Sequence, residues 1–331
     1  MRPAARIAFC WELGRGLGHL TPYLPLIRKL SARGDEVLFL GKDHHRVAEV
    51  FADLPIEAVA IESGFTAPAD QIRGADSYPE VLYNCGFNDA EALSRRVNHL
   101  GASIREIAPD VLIADFAPTV MLANRILGLP LVAAGNGFQL PVKSIPMPRF
   151  RYWQGAVGQS LQENETRVLE IVNLALTDAG GPPLDSIATL LQADCEWLRT
   201  FAELDFYGRR DGERYLGAFP ADHFGQPPQW PATGDPRVFA YLTPGPATST
   251  ALRALVEAGA AVCLYAPELA AAERSSLDHE RICVAADPVD ITAVARDSGL
   301  FVTNGNLNTV AAALLAGKAQ LALPTSAEKY L

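Results

Sequence analysis

Apolar positions recur along the chain with two alternating periods. Short, nearly unbroken apolar runs at residues 6–10, 36–40 and 56–61 read as buried strands. Between them, residues 23–33 place Leu24, Ile27 and Leu30 on one helical face and stop at Gly34, with Thr21-Pro22 suited to the helix start. Residues 47–51 fit a short helix. The spacing continues with a long amphipathic helix over 90–107, a strand at 111–114, a helix over 119–127 and a strand at 131–134. This β-α-β order predicts a parallel sheet covered by helices on both faces. Residues 63–80 and 139–151 read as loops, and helical spacing returns over 157–177 and 185–192.

Four prolines between 217 and 233 mark a change of composition and a domain boundary. Beyond it the alternation resumes, with strands at 238–242, 261–265, 281–284, 300–303 and 320–323. Helices are expected over 249–258, 269–276, 290–297 and 309–316. The predicted organisation is therefore α/β, with two Rossmann-like doubly wound lobes facing a central cleft. The lobes are residues 1–217 and 234–331, joined by a linker over 218–233. A chain of 331 residues has the length for two such cores.

Composition narrows the function classes. The net charge of -10 and the lack of a basic patch argue against nucleic acid as a partner. A small anion can still be held by backbone N–H groups at helix starts. No apolar run is long enough to span a bilayer, and no signal peptide precedes the first strand, so the expected compartment is the cytoplasm. Five cysteines at 10, 85, 195, 263 and 283 have neither zinc-finger nor redox spacing and read as reduced thiols. Asp43-His44-His45 echoes a metal phosphoesterase motif but lacks the additional carboxylates that such chemistry needs, so no protein-built metal site is expected. Tyr152-Trp153 and Trp197 are candidates to stack on an acceptor, or are core aromatics.

The loop from Glu12 to His19 follows the first strand. Gly14 and Gly16 fit a dinucleotide fingerprint, G-x-G-x-x-G, but His19 occupies its third glycine position. An imidazole at a helix start can instead take a proton from an acceptor hydroxyl. Such a base needs an orienting carboxylate, and Asp115, at the end of another parallel strand, can reach the same crevice. The residues alone leave open the plainer reading that His19 and Asp115 cap their helices.

Gly16-Leu17-Gly18-His19-Leu20-Thr21-Pro22, followed by a helix ending in Arg33-Gly34-Asp35-Glu36-Val37, resembles the start of GT-B glycosyltransferases of the UDP-glucuronosyl and plant natural-product type. The stretch from Ile107 to Phe116, with Gly128-Leu129-Pro130 after a helix, resembles the same family's acceptor-lobe motif. The third likeness runs from Leu300 to Thr309, with Gly317 and Leu323-Pro324, and is similar to the donor signature. The resemblance implies a hexosyltransferase-type enzyme that moves a sugar from a nucleotide-diphospho-sugar to a hydroxyl of a small-molecule or lipid acceptor. It implies inversion, no metal and no cofactor beyond that co-substrate.

In the same resemblance His19 is the base and Asp115 its partner, with Gly16 and Gly18 in the acceptor loop. Gly245, Thr248, Val284, Asn304, Gly305, Asn308, Thr309 and Glu328 fall on donor-binding positions. Two departures stand out. Asn304 replaces the family's usual histidine, while Asn306 and Asn308 replace glycines. Asn304 is expected to donate to phosphate, and Asn306 to tolerate a left-handed turn. The chain also stops at Leu331, earlier than the family, which reads as a C-terminal truncation. Two alternatives follow: a catalytically degenerate GT-B protein that binds nucleotide sugar or regulates, and an NAD(P)-dependent oxidoreductase suggested by Gly14 and Gly16.

Overall fold

In the computed structural model of the chain, the described residues are 4–14, 16–61, 65, 67–219, 224–269, 274, 277 and 279–330. They form two compact units, residues 1–217 and 218–330.

The first unit is built on six parallel strands: β1 (Arg6–Trp11), β2 (Glu36–Gly41), β3 (Ile56–Ala60), β4 (Val111–Asp115), β5 (Leu131–Gly135) and β6 (Cys195–Leu198). Their order is β3-β2-β1-β4-β5-β6, with the centre of the sheet at β1 and β4. Both faces of the sheet are covered. Ala8, Cys10, Leu38, Leu112 and Ala133 enter a core that also takes Leu93, Val97 and Leu100 of α4 (Ala90–Ile107). On alternate positions Phe9 stacks on Phe39 and meets Tyr23 edge-on. That two-sided burial explains the unbroken apolar runs.

The remaining helices of this unit are α1 (Leu24–Ala32), α2 (His44–Val50), α3 (Tyr78–Asn84), α5 (Pro118–Leu127), α6 (Gln159–Asp178) and α7 (Ile187–Leu190). Two elements differ from the sequence reading. α3 begins inside a stretch expected to be loop, with Pro79 in its first turn, where proline costs no hydrogen bond. β6 was not expected at all. Of the loop expected over 63–80, residues 63, 64 and 66 lie outside the described residues.

The second unit carries β7 (Arg237–Tyr241), β8 (Ala261–Tyr265), β9 (Ile282–Ala285), β10 (Leu300–Thr303) and β11 (Ala319–Ala322), all parallel, in the order β11-β10-β7-β8-β9. Val238, Ala240, Val262 and Val302 pack on one face, while Phe239, Cys263 and Phe301 pack on the other. Its helices are α8 (Pro246–Glu257), α9 (Ile291–Asp297), α10 (Leu307–Leu315) and α11 (Ala327–Tyr330). α8 starts three residues before the position expected at Ser249, and α10 two before Thr309. Most of the helix expected over 269–276, and residues 220–223 of the expected linker, lie outside the described residues. Among the described residues no helix is long and apolar enough to cross a membrane.

Candidate active site

Register fixes which side chains meet at the carboxyl edge of the first sheet. Trp11, the last residue of β1, pairs with Asp115 on one side and Gly41 on the other. Asp115 ends β4 and is 1% exposed. Phe116 follows it with a φ of 47°, a left-handed conformation that costs a bulky residue about 1–2 kcal/mol. The turn is held by Leu13 N–H donating to the Phe116 carbonyl at 2.9 Å. A strained non-glycine residue beside a buried carboxylate is the kind of feature that clusters at functional sites.

His19 lies within hydrogen-bond reach of that carboxylate, its Nδ1 2.9 Å from Asp115 Oδ1. The imidazole stacks with Trp11 at 5.5 Å and with Phe116 at 6.4 Å, with ring planes 15° and 25° from its own. Gly14, at φ 78°, presents bare backbone to the opposite nitrogen: a Cβ there would stand 2.3 Å from His19 Nε2. Gly16 is also left-handed, at φ 85°, and Gly18 falls inside a 3-10 turn, Leu17–His19. Lys42 donates to the Gly14 carbonyl and stands 5.1 Å from the Trp11 ring centroid. The loop is thus pinned on both sides of the imidazole.

The position of His19 differs from the sequence reading in one respect. The loop runs through two 3-10 turns, Leu17–His19 and Thr21–Tyr23, before α1 begins at Leu24. His19 therefore does not sit at the N-terminus of an α-helix. The glycines likewise do not deliver a ligand phosphate to a helix dipole, as a dinucleotide fingerprint requires.

Two further partners of Asp115 carried no sequence motif. Tyr23 donates its hydroxyl to Oδ2 at 2.8 Å, and Arg199 donates from Nη2 at 2.5 Å. Burial alone would push the Asp115 carboxyl up. Arg199, with the contacts to His19 and Tyr23, more than offsets it and holds the group below the usual carboxylate range. A second buried carboxylate, Glu12, accepts from Thr119 N–H at 2.8 Å and from the Thr119 hydroxyl. Burial outweighs those bonds and the fields of Arg96 and Lys42, and raises it. Of the other candidates, Tyr152 and Trp153 are 53% and 56% exposed, and Trp197 is half-buried on β6.

The second unit brings together a different set. β10 runs into Asn304 and Gly305, then into α10 with Asn306 as its N-cap. Gly305 supplies the left-handed step at φ 84°, and Asn306 is at φ -65°. The turn therefore does not ask Asn306 for a left-handed backbone. Asn308 and Thr309 lie in the first turn of α10; the Thr309 N–H donates to the Asn306 carbonyl at 3.0 Å, while the amides ahead of it precede the helical ladder. Gly305 packs against α11, the site of Glu328; a Cβ at Gly305 would meet the Lys329 carbonyl at 3.0 Å.

Asn304 is turned inward. It is 2% exposed, accepts from Thr243 N–H at 2.5 Å and donates to the Leu323 carbonyl at 2.6 Å. Its amide ties the carboxyl ends of β7 and β11 to that of β10, with its oxygen and one of its two N–H groups engaged within the protein. Gly245 is the N-cap of α8, and Thr248, in the first turn, donates its hydroxyl to the Thr243 carbonyl at 2.6 Å. Val284 lies on the edge strand β9. Among the described residues no group of three or more His, Cys, Asp and Glu side chains is placed to hold a metal ion.

No protein-family model and no curated protein sequence matches the chain. Solved structures do match in fold. The glycotransferase of kitacinnamycin superposes with a TM-score of 0.68 at 20% identity, covering 99% of this chain and 83% of its own. Glycosyltransferase VinC in complex with dTDP gives 0.61 at 16%, covering 97% and 82%. The spinosyn rhamnosyltransferase SpnG complexed with spinosyn aglycone gives 0.58 at 18%, covering 98% and 82%. With its two parallel sheets and a backbone that follows these enzymes over nearly its whole length, the chain has the GT-B fold.

Proposed function

We propose that the chain is a glycosyltransferase that moves a sugar from a nucleotide-diphospho-sugar to a hydroxyl of a small-molecule or lipid acceptor. The observation that carries this reading is the buried hydrogen bond between His19 Nδ1 and Asp115 Oδ1, at 2.9 Å. It fixes the imidazole with Nδ1 protonated and Nε2 free to accept a proton. The nucleotide and aglycone bound by two of the structural neighbours are in keeping with the two ligand classes.

In this reading His19 Nε2 takes the acceptor hydroxyl proton as the oxygen attacks the anomeric carbon of the donor. The bond from that carbon to the diphosphate breaks with inversion, and the electron pair leaves on the phosphate oxygen. Asp115 stabilises the imidazolium as it forms. The first-turn amides of α10 and α8 are the groups suited to the departing charge. No divalent ion is needed to balance these steps. Donors with different hexoses, and deoxyhexoses, are the first to try.

The test is sugar transfer from a panel of sugar nucleotides by wild type and His19→Ala. The expected loss is about 10²–10⁴-fold, the usual contribution of a general base. Undiminished transfer by the variant removes His19 from the mechanism. Retained anomeric configuration in the product removes the single displacement, and loss of activity in chelator removes the metal-free scheme.

A further inference from the structure

The carboxylate of Asp115 serves three donors, and His19 is only one of them. Oδ1 meets His19, while Oδ2 is shared by Tyr23 and Arg199. Arg199 is 8% exposed and comes from just beyond β6, where its backbone N–H donates to Gly135 O at 2.7 Å. Its guanidinium lies 4.7 Å from the Tyr23 ring centroid, and its Nε, also buried, has no partner. Among the described residues, Asp115 is the carboxylate that this buried cation pairs with.

We propose that Arg199 balances the charge of the Asp115–His19 pair and thereby sets the pH at which the pair takes up its proton. The inference rests on the reading of that pair as the base of the proposed transfer. With a neutral imidazole, the cluster of Arg199, Asp115 and His19 has no net charge, and a proton makes it cationic. Without Arg199 the pair is a lone buried anion, and the same proton neutralises it. Burial penalises net charge, so Arg199 keeps the pair unprotonated, and competent as a base, to lower pH. The lowered titration of Asp115 agrees with this. Because the two groups share a hydrogen bond, the midpoint belongs to the pair.

Of the other ionisable groups, Tyr23, in the turn before α1, donates to Asp115, and Lys42, after β2, donates to the Gly14 carbonyl beside His19. Glu12 follows β1, and Arg96, on α4, acts on Glu12. With Lys42 and Arg96 so engaged, the cation bonded to Asp115 among the described residues is Arg199.

The experiment is a pH titration of histidine-labelled full-length protein by NMR, with His19 assigned by loss of its signal in His19→Gln. Arg199→Gln and Arg199→Met remove the charge, and Arg199→Lys retains it. The expected result is a midpoint about one pH unit or more higher in the neutral variants, and close to wild type in Arg199→Lys. An unmoved midpoint in a folded neutral variant overturns the inference. Should neither neutral variant fold in buffer alone, both are titrated beside wild type in an excluded osmolyte that favours the folded state, and the same criterion applies. The acidic limb of kcat/KM should move with the NMR midpoint, a response that a merely structural arginine would not give. The titration needs no sugar nucleotide, so a midpoint that moves in a protein without transfer supports the charge balance while overturning the transferase reading.

Discussion

At Gly14 one missing atom decides whether an imidazole can stand where it does. The residue is left-handed, and an added methyl would lie 2.3 Å from His19 Nε2, the nitrogen proposed to take the proton. Gly14→Ala should therefore cost about 1–2 kcal/mol of stability through its backbone. Displacement of the ring should cost far more in transfer, about 10²-fold in kcat. Urea unfolding and steady-state kinetics on the same preparation check this; a loss of stability with kcat intact would show that Nε2 is not the working atom. Gly14, Gly16 and His19 were visible in the sequence because the motif is local. Asp115 was visible because a strand ending in a carboxylate is a recognisable pattern. Arg199 was not, because its role depends on β6 being recognised as a strand. Asn304 was visible, but its partners were not: Thr243 and Leu323 lie far off in sequence, and they turn its amide into a brace between strands.

The helix that follows Asp115 illustrates what an element takes from elsewhere. α5 opens on Ala117, whose side chain cannot cap it, and Glu12 supplies the missing acceptor from 107 residues away. That bond ties the glycine loop to the same helix that flanks Asp115. Because burial raises the Glu12 carboxyl, the unfolded chain ionises at lower pH than the folded one. Stability attributable to this group is greatest below its unfolded value of about 4.3 and erodes as pH rises toward its folded value. Glu12→Gln keeps an acceptor for Thr119 but loses the titration. Its deficit relative to wild type should accordingly be larger at pH 4 than at pH 8, read by urea denaturation at both. An equal deficit at the two pH values would mean that Glu12 does not titrate in this range. Elements of this size were legible where periodicity was long, as in α4, and missed where it was short. β6 spans four residues with Glu196 among them, and α3 begins at the end of a stretch rich in glycine, proline and aspartate. α8 and α10 begin ahead of the residues read as their starts, because Pro246 and Leu307 already hold helical backbone.

At the scale of the molecule, the residues proposed for proton transfer and those proposed for nucleotide binding belong to different compact units. His19, Asp115, Tyr23 and Arg199 lie within residues 1–217, and Gly305, Asn308, Thr309 and Gly245 within 218–330. Each set hangs on the carboxyl edge of its own parallel sheet, where open α/β sheets hold ligands. Binding and chemistry should then separate under mutation. A nucleoside diphosphate present at one hundred times its dissociation constant stabilises the protein that binds it by about 2.7 kcal/mol. His19→Ala and Asp115→Asn should show the same ligand-induced rise in Tm as wild type while transfer is lost. Gly305→Val should show the reverse pattern at the binding step. Its backbone is left-handed and its Cα faces the Lys329 carbonyl, so a branched side chain distorts the turn that opens α10. The ligand-induced rise should shrink in that variant, with any residual transfer showing a raised KM for the sugar nucleotide. A diphosphate-induced shift that disappears in His19→Ala would place the nucleotide in the first unit, and the assignment of phosphates to α10 and α8 would have to be given up.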